Sequence, residues 1–363
     1  MHIPDALKSE FHSQLDTASA VIHRHQQPNL KNELVQLSEY AQESDIRDSY
    51  GQGGIVSEFE KQICELFDKP SALFLPTGTL AQCVAMKCYS ETSGKNGVGL
   101  HPTSHLRLHE HDAIQQLWGL SIHSMGEAQR SLTAVDVATL NPEQVTAIIV
   151  ETPMREIGGT MPSWDDLLSM RAWCSQHNVR MHLDGARIWQ ATEYYQRSLA
   201  QIAELFDSIY VSFYKDLGGI FGAALIGTDE LMEPARVWSR RAGGNPITLY
   251  PEVLSARKGL ESYLLKMPDF VEFTKTLTDL LSSAGFEIIP SQPKAAMFHI
   301  RLPYNATITA EKLVHYAQQQ GIIVLPLPRA EHDEKAICEV SIGTQALKHA
   351  PEFWVKHLSA CFS

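Results

Sequence analysis

Strand-like and helical patterns of hydrophobic residues alternate through the middle of the chain. Short apolar runs, rich in β-branched and aromatic residues, are typical of buried strands, and they are SALFLP (71–76), TAIIVE (146–151), VRMHLD (179–184), SIYVSF (208–213) and AALIG (223–227). Helical segments precede and separate them. One such segment, VSEFEKQICELF (56–67), has its apolar residues on a single helical face. Strands that alternate with helices predict an α/β fold with a large, mostly parallel sheet flanked by helices.

The pattern changes at both ends of the chain. Residues 1–45 are polar with a broken helical period, which predicts an N-terminal helical arm. Beyond residue 250, a long helical segment leads to three short strand-like runs: FEIIP (286–290), AMFHIRL (296–302) and GIIVLPL (321–327). We therefore predict a large domain over residues 46–250 and a small α+β C-terminal domain over residues 251–363.

The composition narrows the possible partners. The chain has 363 residues, and its formal net charge is -12, without any run of basic residues, which argues against binding to nucleic acid or to an anionic membrane surface. No stretch approaches the roughly 18 to 20 apolar residues of a membrane span, and the first residues lack a secretory signal pattern. We expect a cytoplasmic protein whose six cysteines are reduced.

Three chemical features follow the predicted strands. Thr77, Gly78 and Thr79 lie between a strand and a helix N-terminus, where free N–H groups bind phosphate, although such a turn is also a common helix N-cap. Asp184 ends the run VRMHLD, and a buried carboxylate there needs a partner. Lys215 follows the SIYVSF run and precedes a glycine-rich turn. Because ligands of open α/β sheets bind at the carboxyl ends of strands, we expect the three features to form one site.

Together these features match the needs of pyridoxal phosphate. A lysine amine forms a Schiff base with its aldehyde, and an acidic residue keeps its pyridine nitrogen protonated. A helix N-terminus binds its phosphate. The sequence therefore predicts pyridoxal phosphate as the cofactor.

Five motifs carry a resemblance to a known family. They are DSYGQGGIVSEFEKQICELFDKPSALFLPTGTLAQ (48–82), SHLRLHE (104–110), REIGGTMPSWDDL (155–167), HLDGARIW (182–189) and SFYKDLGG (212–219). They resemble motifs of the threonine aldolase and aromatic amino acid β-eliminating lyase family, which are fold-type-I pyridoxal-phosphate enzymes. The resemblance covers roughly residues 48–244. It implies a seven-stranded cofactor domain, a small C-terminal domain, and a homodimer or homotetramer with shared active sites.

The resemblance also implies roles for single residues. Lys215 would be the Schiff-base lysine, Asp184 the partner of the pyridine nitrogen, and His105 the residue that lies against the ring. The cofactor-binding residues that it implies are Thr77, Gly78, Thr79, His105, Asp184, Arg187, Ser212 and Lys215. Tyr50 and Gly51 would lie in a loop near the partner subunit.

The chain departs from the family pattern where the substrate would bind. Members typically read Glu-Asn-Thr-His-Asn where this chain reads ETPMR (151–155), so Met154 replaces their catalytic histidine and its thioether cannot take a proton. Arg155 becomes a candidate for an anionic group of the substrate, or else pairs with Glu156. The family's C-terminal arginine corresponds loosely to Lys335, with Arg329 as an alternative, and Arg187 is a further candidate for the substrate carboxylate.

A histidine cluster offers a competing interpretation. The segment HPTSHLRLHEHD (101–112) contains four histidines and two acids, and histidine and carboxylate at helical spacing can bind a metal. No second ligand motif accompanies it, so we predict no metal site.

The main functional hypothesis is a lyase that cleaves an L-threonine-like β-hydroxy amino acid to glycine and an aldehyde by retro-aldol cleavage. The alternatives are β-elimination or amino transfer on another amino acid, a non-catalytic homologue that binds pyridoxal phosphate, and a metal hydrolase.

Overall fold

A computed structural model describes residues 1–26 and 28–363 of the chain. The strands are β1 (Ala20–Val21), β2 (Ser71–Leu75), β3 (Gly97–Leu100), β4 (Ser121–Ser124), β5 (Val145–Glu151), β6 (Arg180–Gly185), β7 (Ser208–Ser212), β8 (Ala223–Gly227), β9 (Glu287–Ile289), β10 (Met297–Arg301), β11 (Ile322–Ile323), β12 (Ala330–His332) and β13 (Lys335–Ser341). The α-helices are α1 (Asp5–Leu15), α2 (Leu30–Tyr40), α3 (Gly54–Phe67), α4 (Gly78–Ser93), α5 (His105–Leu108), α6 (Ala113–Gln116), α7 (Ala134–Ala138), α8 (Trp164–His177), α9 (Thr192–Tyr195), α10 (Leu199–Ala203), α11 (Asp229–Arg241), α12 (Tyr250–Tyr263), α13 (Met267–Ser283), α14 (Ala306–Gln320) and α15 (Pro351–Phe362).

The described residues form two compact units. One contains residues 28–156 and 161–265, and the other contains residues 1–26, 157–160 and 266–363. The domain boundaries at residues 45 and 250 stay a prediction. The two compact units have their boundaries at other residues, near 27, 156, 160 and 265. Helices in the described part of the chain are too short or too polar to cross a membrane.

The larger unit is built around a mostly parallel sheet. Among the described residues its seven strands have the order β2-β8-β7-β6-β5-β3-β4, and only β8 runs antiparallel to its neighbours. Helices α3, α4, α8 and α11 pack against these strands. The predicted α/β fold with a large parallel sheet is therefore confirmed.

Two of the central strands, β5 and β7, are buried along their whole length because helices cover the sheet. Every residue of β5 and of β7 is buried, which explains why their sequences are almost continuously apolar. Parallel strands end at the same edge of the sheet, and the register pairs Glu151 with Asp184 and Asp184 with Tyr210. Paired residues point to the same face, so these three side chains form a row at the carboxyl edge.

The smaller unit contains the predicted C-terminal α+β structure. In the described residues, four antiparallel strands have the order β12-β13-β10-β9, and β1 pairs in parallel with β11. The predicted strand GIIVLPL is wrong in length, since only Ile322–Ile323 pair, and Pro326 has no N–H to continue a ladder. The N-terminal residues 1–26 belong to this unit through α1 and β1.

Candidate active site

A cavity lies at the carboxyl edge of β5, β6 and β7 in the larger unit. It contains most of the residues that the sequence singled out there. The residues that line it are Thr77, Gly78, Thr79, Gln82, His105, Glu110, Glu151, Arg155, Glu156, Asp184, Ala186, Arg187, Tyr210, Tyr214 and Lys215. Ser212, another predicted cofactor residue, is the last and fully buried residue of β7.

Lys215 lies in a tight loop that follows β7. The N–H of Gly219 donates to the carbonyl of Phe213 (2.9 Å) and closes the loop around the lysine. The amine Nζ is 5.9 Å from the ring centre of Tyr210 and 5.6 Å from that of Tyr214. Burial, together with the charge of Arg187, lowers the pKa of Lys215 to about 8. About a tenth of this amine is therefore unprotonated at pH 7, far more than for an ordinary lysine.

Asp184 has a carboxylate neighbour that the sequence reasoning missed. Its own carboxylate is buried and accepts the N–H of Ala186 (3.2 Å). Glu151 ends β5 at the same register, is also buried, and accepts the N–H of Arg155 (3.0 Å). The signal was present in the sequence, because both TAIIVE and VRMHLD end an apolar strand in an acid.

The N-terminus of α4 forms one wall of the cavity. Thr77 is its N-cap, and its side chain accepts the N–H of Leu80 (3.2 Å), so the helix-cap interpretation of this residue is correct. The first N–H groups of the helix, at Gly78 and Thr79, have no acceptor within the helix. A Cβ at Gly78 would collide with the hydroxyl of Tyr210, so only glycine lets the helix start this close to β7. An anion-binding end of a helix thus faces the same cavity as Lys215.

Arg187 forms a buried pair with an acid beside the lysine. Its Nε lies 3.8 Å from Oδ1 of Asp216, and both side chains are almost fully buried. This Nε has no hydrogen-bond acceptor among residues 1–26 and 28–363. A buried guanidinium N–H without an acceptor is a position where a polar ligand atom would be stabilised.

His105 is oriented by a carboxylate. Its Nδ1 lies 2.8 Å from Oε1 of Glu110, and the side chain is about one-third exposed at 34%. Burial acts to raise the pKa of Glu110, but hydrogen bonds from His105 and Thr79 outweigh it and hold that pKa below its ordinary value. A charged Glu110 accepts the Nδ1–H, which leaves Nε2 of His105 as the acceptor nitrogen.

Two other histidines of the predicted cluster, His101 and His109, have separate partners. The ring of His101 is buried and contacts the hydroxyl of Thr103 and backbone carbonyls of Glu127 and Arg130. His109 pairs with Glu156 (2.9 Å). In the part of the chain that the structure describes, there is no group of three or more metal-ligating side chains.

The predicted substrate residues are distributed over both units. Arg155 lines the cavity, and Met154 beside it is buried. Arg329 and Lys335 belong to the smaller unit. There, Arg329 donates to Glu339 (2.7 Å), whereas Lys335 is exposed at the start of β13.

Tyr50 and Gly51 lie in a loop of the larger unit before α3. The loop is held by Asp48, which accepts the N–H of Gly51 (3.0 Å) and the N–H of Leu249 (2.9 Å). Tyr50 is half exposed, and Arg240 lies 5.4 Å from the centre of its ring.

Comparisons with known proteins extend over most of the chain. Residues 36–353 match the model of the β-eliminating lyase family. The chain is 22% identical to low-specificity L-threonine aldolase 1 of Arabidopsis thaliana over 288 residues, which are 77% of this chain and 80% of that protein.

Solved structures show the same fold. A candidate L-allo-threonine aldolase from Listeria monocytogenes EGD-E superposes with a TM-score of 0.91 at 32% identity, over 98% of this chain and 99% of that one. A candidate aromatic amino acid β-eliminating lyase/threonine aldolase from Exiguobacterium sp. 255-15 superposes with a TM-score of 0.90 at 30% identity, over 97% of this chain and 100% of that one.

Proposed function

Because this chain belongs to the β-eliminating lyase family, we propose that it is a pyridoxal-phosphate-dependent lyase. Its proposed reaction is retro-aldol cleavage of an L-threonine-like β-hydroxy amino acid to glycine and an aldehyde. The observation that carries the proposal is Lys215, an amine with a pKa of about 8 in the cavity that also contains Asp184. The threonine aldolases among its relatives support the choice of reaction.

The residues of the cavity fit the cofactor. The N–H groups at the start of α4 would bind its phosphate, and Asp184 would hold the proton on its ring nitrogen. The unpartnered Nε of Arg187 is a donor for one of its oxygens or for the substrate carboxylate. When bound, pyridoxal phosphate supplies an aldehyde that condenses with amines and a protonated ring that accepts the electron pair released from the substrate.

Lys215 performs two tasks in this proposal. Its unprotonated Nζ would be the nucleophile that holds the cofactor. With its lowered pKa, the same amine would exchange protons with the substrate near neutral pH. The aromatic rings of Tyr210 and Tyr214 lie beside the amine.

A proton must also leave the β-hydroxyl of the substrate during aldol cleavage. The buried thioether of Met154 cannot accept it. His105 is the best-oriented base, because Glu110 holds the proton on Nδ1 and leaves Nε2 as an acceptor. We assign this proton transfer to Nε2 of His105, directly or through water.

Met154 also motivates a second candidate function. β-Elimination or amino transfer needs no base for a β-hydroxyl, so the loss of the histidine leaves these reactions possible. A third candidate, a homologue that binds the cofactor without catalysis, predicts covalent loading at Lys215 and no turnover.

Product analysis separates these candidates. The loaded protein is incubated with L- and D-threonine, phenylserine, serine and tryptophan. Glycine and an aldehyde from threonine or phenylserine support the aldolase. Ammonia and a keto acid, or a new amine, show elimination or amino transfer, and the aldolase assignment is then withdrawn. Loading without any product supports the non-catalytic homologue.

We also propose that the protein is a homodimer or homotetramer. Helix α2 exposes Leu30, Leu34 and Val35, whose exposed fractions are 74%, 58% and 45%, and clustered apolar residues of this kind mark protein interfaces. Light scattering coupled to size-exclusion chromatography measures the subunit number, and a monomer at micromolar concentration contradicts this proposal.

A further inference from the structure

Glu151 is a buried acid of the cavity that the proposed reaction does not use. It ends β5 at the position that pairs with Asp184 at the end of β6. Adjacent strands of a sheet lie about 4.8 Å apart, and paired side chains share a face. The two carboxyl groups are therefore side by side, and both residues are at least nine-tenths buried, at 8% and 2% exposure.

The charges around Glu151 do not balance two carboxylates. It faces Asp184 from β6, Arg187 from the loop after β6, and Lys215 from the loop after β7. Arg187 already has Asp216 as a partner. Lys215 is the other cation near Glu151, and one cation can balance one carboxylate. One negative charge can be stabilised here, and a second cannot, because like charges in a buried site disfavour each other.

Each carboxyl group accepts a backbone N–H: Oε1 of Glu151 accepts that of Arg155, and Oδ1 of Asp184 accepts that of Ala186. Burial and the adjacent charge of Asp184 raise the pKa of Glu151 to about 8. Glu151 is therefore the member of the pair that we expect to bind a proton.

We propose that Glu151 is a positioning residue that holds a proton at neutral pH and so removes one of the two negative charges of the buried carboxyl pair. Its protonated carboxyl also gives Asp184 an uncharged neighbour on the adjacent strand. The role toward the cofactor rests on the proposed function, in which Asp184 faces the ring nitrogen. The protonation itself does not depend on that function.

Infrared difference spectroscopy of the protein without added cofactor tests the protonation. The spectrum of the wild type minus that of Glu151→Gln at pH 7 should contain the C=O band of a protonated carboxyl. This band should disappear as the pH rises through about 8. Its absence at pH 7 would show that Glu151 is charged and would overturn the proposal.

The matched control is Glu110→Gln, the same substitution at another carboxyl of the cavity. Hydrogen bonds from His105 and Thr79 keep the pKa of Glu110 low despite its burial. The spectrum of the wild type minus that of Glu110→Gln should therefore contain no C=O band of a protonated carboxyl at pH 7. The same band in both difference spectra would mean that it reports a general change, and the assignment to Glu151 would fail.

Cofactor binding tests the positioning role. Glutamine is neutral and keeps a donor, so Glu151→Gln should bind pyridoxal phosphate within about threefold of the wild type, whereas Glu151→Ala should bind it at least tenfold more weakly. Equal losses in both variants would show that Glu151 acts as a charged group and would overturn the proposal. If the alanine variant does not fold, the infrared result and the glutamine variant decide.

These outcomes are distinct from failure of the proposed function. A protonated Glu151 in a protein that releases no product from any amino acid leaves the carboxyl pair intact and removes only the assigned reaction. An active aldolase with a charged Glu151 would refute the proposed protonation and leave the assigned reaction intact.

Discussion

The charged side chains at the two ends of the central strands β6 and β7 differ in how far their partners compensate them. At the amino end, Asp207 accepts hydrogen bonds from Arg171 (2.7 Å), from Arg180 (3.0 Å) and from the N–H of Met181 (2.7 Å). Burial acts to raise the pKa of Asp207, but these bonds outweigh it and the pKa is lowered. At the carboxyl end, burial lowers the pKa of Lys215 to about 8. The acids Glu151, Asp184 and Asp216 around it outnumber the two cations, Lys215 and Arg187.

The difference separates a structural network from a reactive site. The charges at the amino end are compensated by partners, so that end stabilises the fold. The carboxyl end keeps an amine and a carboxyl group close to their titration points, which costs stability but makes proton transfer possible near neutral pH. Substitutions at the amino end should therefore change the free energy of unfolding, and substitutions at the carboxyl end should change catalysis.

The largest expected effect is the loss of catalysis at the carboxyl end. Lys215→Ala removes the nucleophile, so product formation from the active substrate should fall by at least ~10³-fold. The variant should also lack the visible absorbance of covalently held cofactor after purification. Lys69→Ala, at the amino end, is the control, because Lys69 donates to the carbonyl of Phe206 and should leave loading unchanged. Covalent cofactor in Lys215→Ala would contradict the role of this lysine.

The pH dependence of cofactor loading should show the lowered pKa of Lys215. Only the neutral amine is a nucleophile, so the loading rate of the protein should rise about tenfold per pH unit and level off above pH 8. Arg187→Met removes a charge that lowers this pKa and should move the plateau to higher pH. Arg171→Met, at the amino end, is the control and should not move it. Stopped-flow absorbance measures these rates, and a flat profile would refute the prediction.

Stability should be lost at the amino end. Asp207→Asn leaves two arginines without their carboxylate, and the free energy of unfolding at pH 7 should fall by about 2 kcal/mol. The pKa of Asp207 is lowered in the folded state, so its contribution is present above the ordinary aspartate pKa and disappears as the pH falls through the folded value. Urea unfolding followed by circular dichroism at several pH values measures the loss of stability and its dependence on pH.

The matched control for this variant is Asp184→Asn at the carboxyl end of β6. It should change the free energy of unfolding by less than about 0.5 kcal/mol, since asparagine can still accept the N–H of Ala186, but it should weaken cofactor binding. The comparison between the two ends is wrong if Asp184→Asn is the less stable variant.

The smallest effect is expected at the orienting hydrogen bond of His105. Glu110→Gln removes the charge that fixes the Nδ1 proton, and the rate of product formation should fall roughly fivefold, which corresponds to about 1 kcal/mol. Glu127→Gln, at an exposed carboxylate that pairs with Arg130, should leave the rate unchanged. Equal rates for Glu110→Gln and the wild type would remove His105 as the proposed base.

Sequence patterns predicted the strands that are long and apolar. Runs such as TAIIVE, SIYVSF and AALIG coincide with β5, β7 and β8, because a strand covered on both faces must be almost continuously apolar. The sequence reasoning missed β3 and β4, whose sequences are GVGL and SIHS. These short, glycine-containing or polar segments have little intrinsic preference for a strand, and they become strands by pairing with neighbours.

The candidate site was predictable where one residue carries the chemistry by itself. Asp184, Lys215 and the turn at Thr77 each end or follow a recognisable strand, and the structure places them around one cavity. Glu151 ends an apolar strand as Asp184 does, but the sequence does not show that the two strands are neighbours, and Tyr210 lies in the middle of β7 among residues that pack the core. Their importance comes from their position beside Asp184 in the row across β5, β6 and β7.

The sequence by itself determined the α/β class and the position of the reactive groups along the chain, since hydrophobic periodicity and strand-end polarity are local properties. Only the tertiary structure decided which of these groups face one another. Strand order and register bring Glu151 within one strand spacing of Asp184 and bring the hydroxyl of Tyr210 against Gly78. The same pairing joins Ala20 to Ile322, about 300 residues later, because backbone hydrogen bonds connect strands without regard to their separation in sequence.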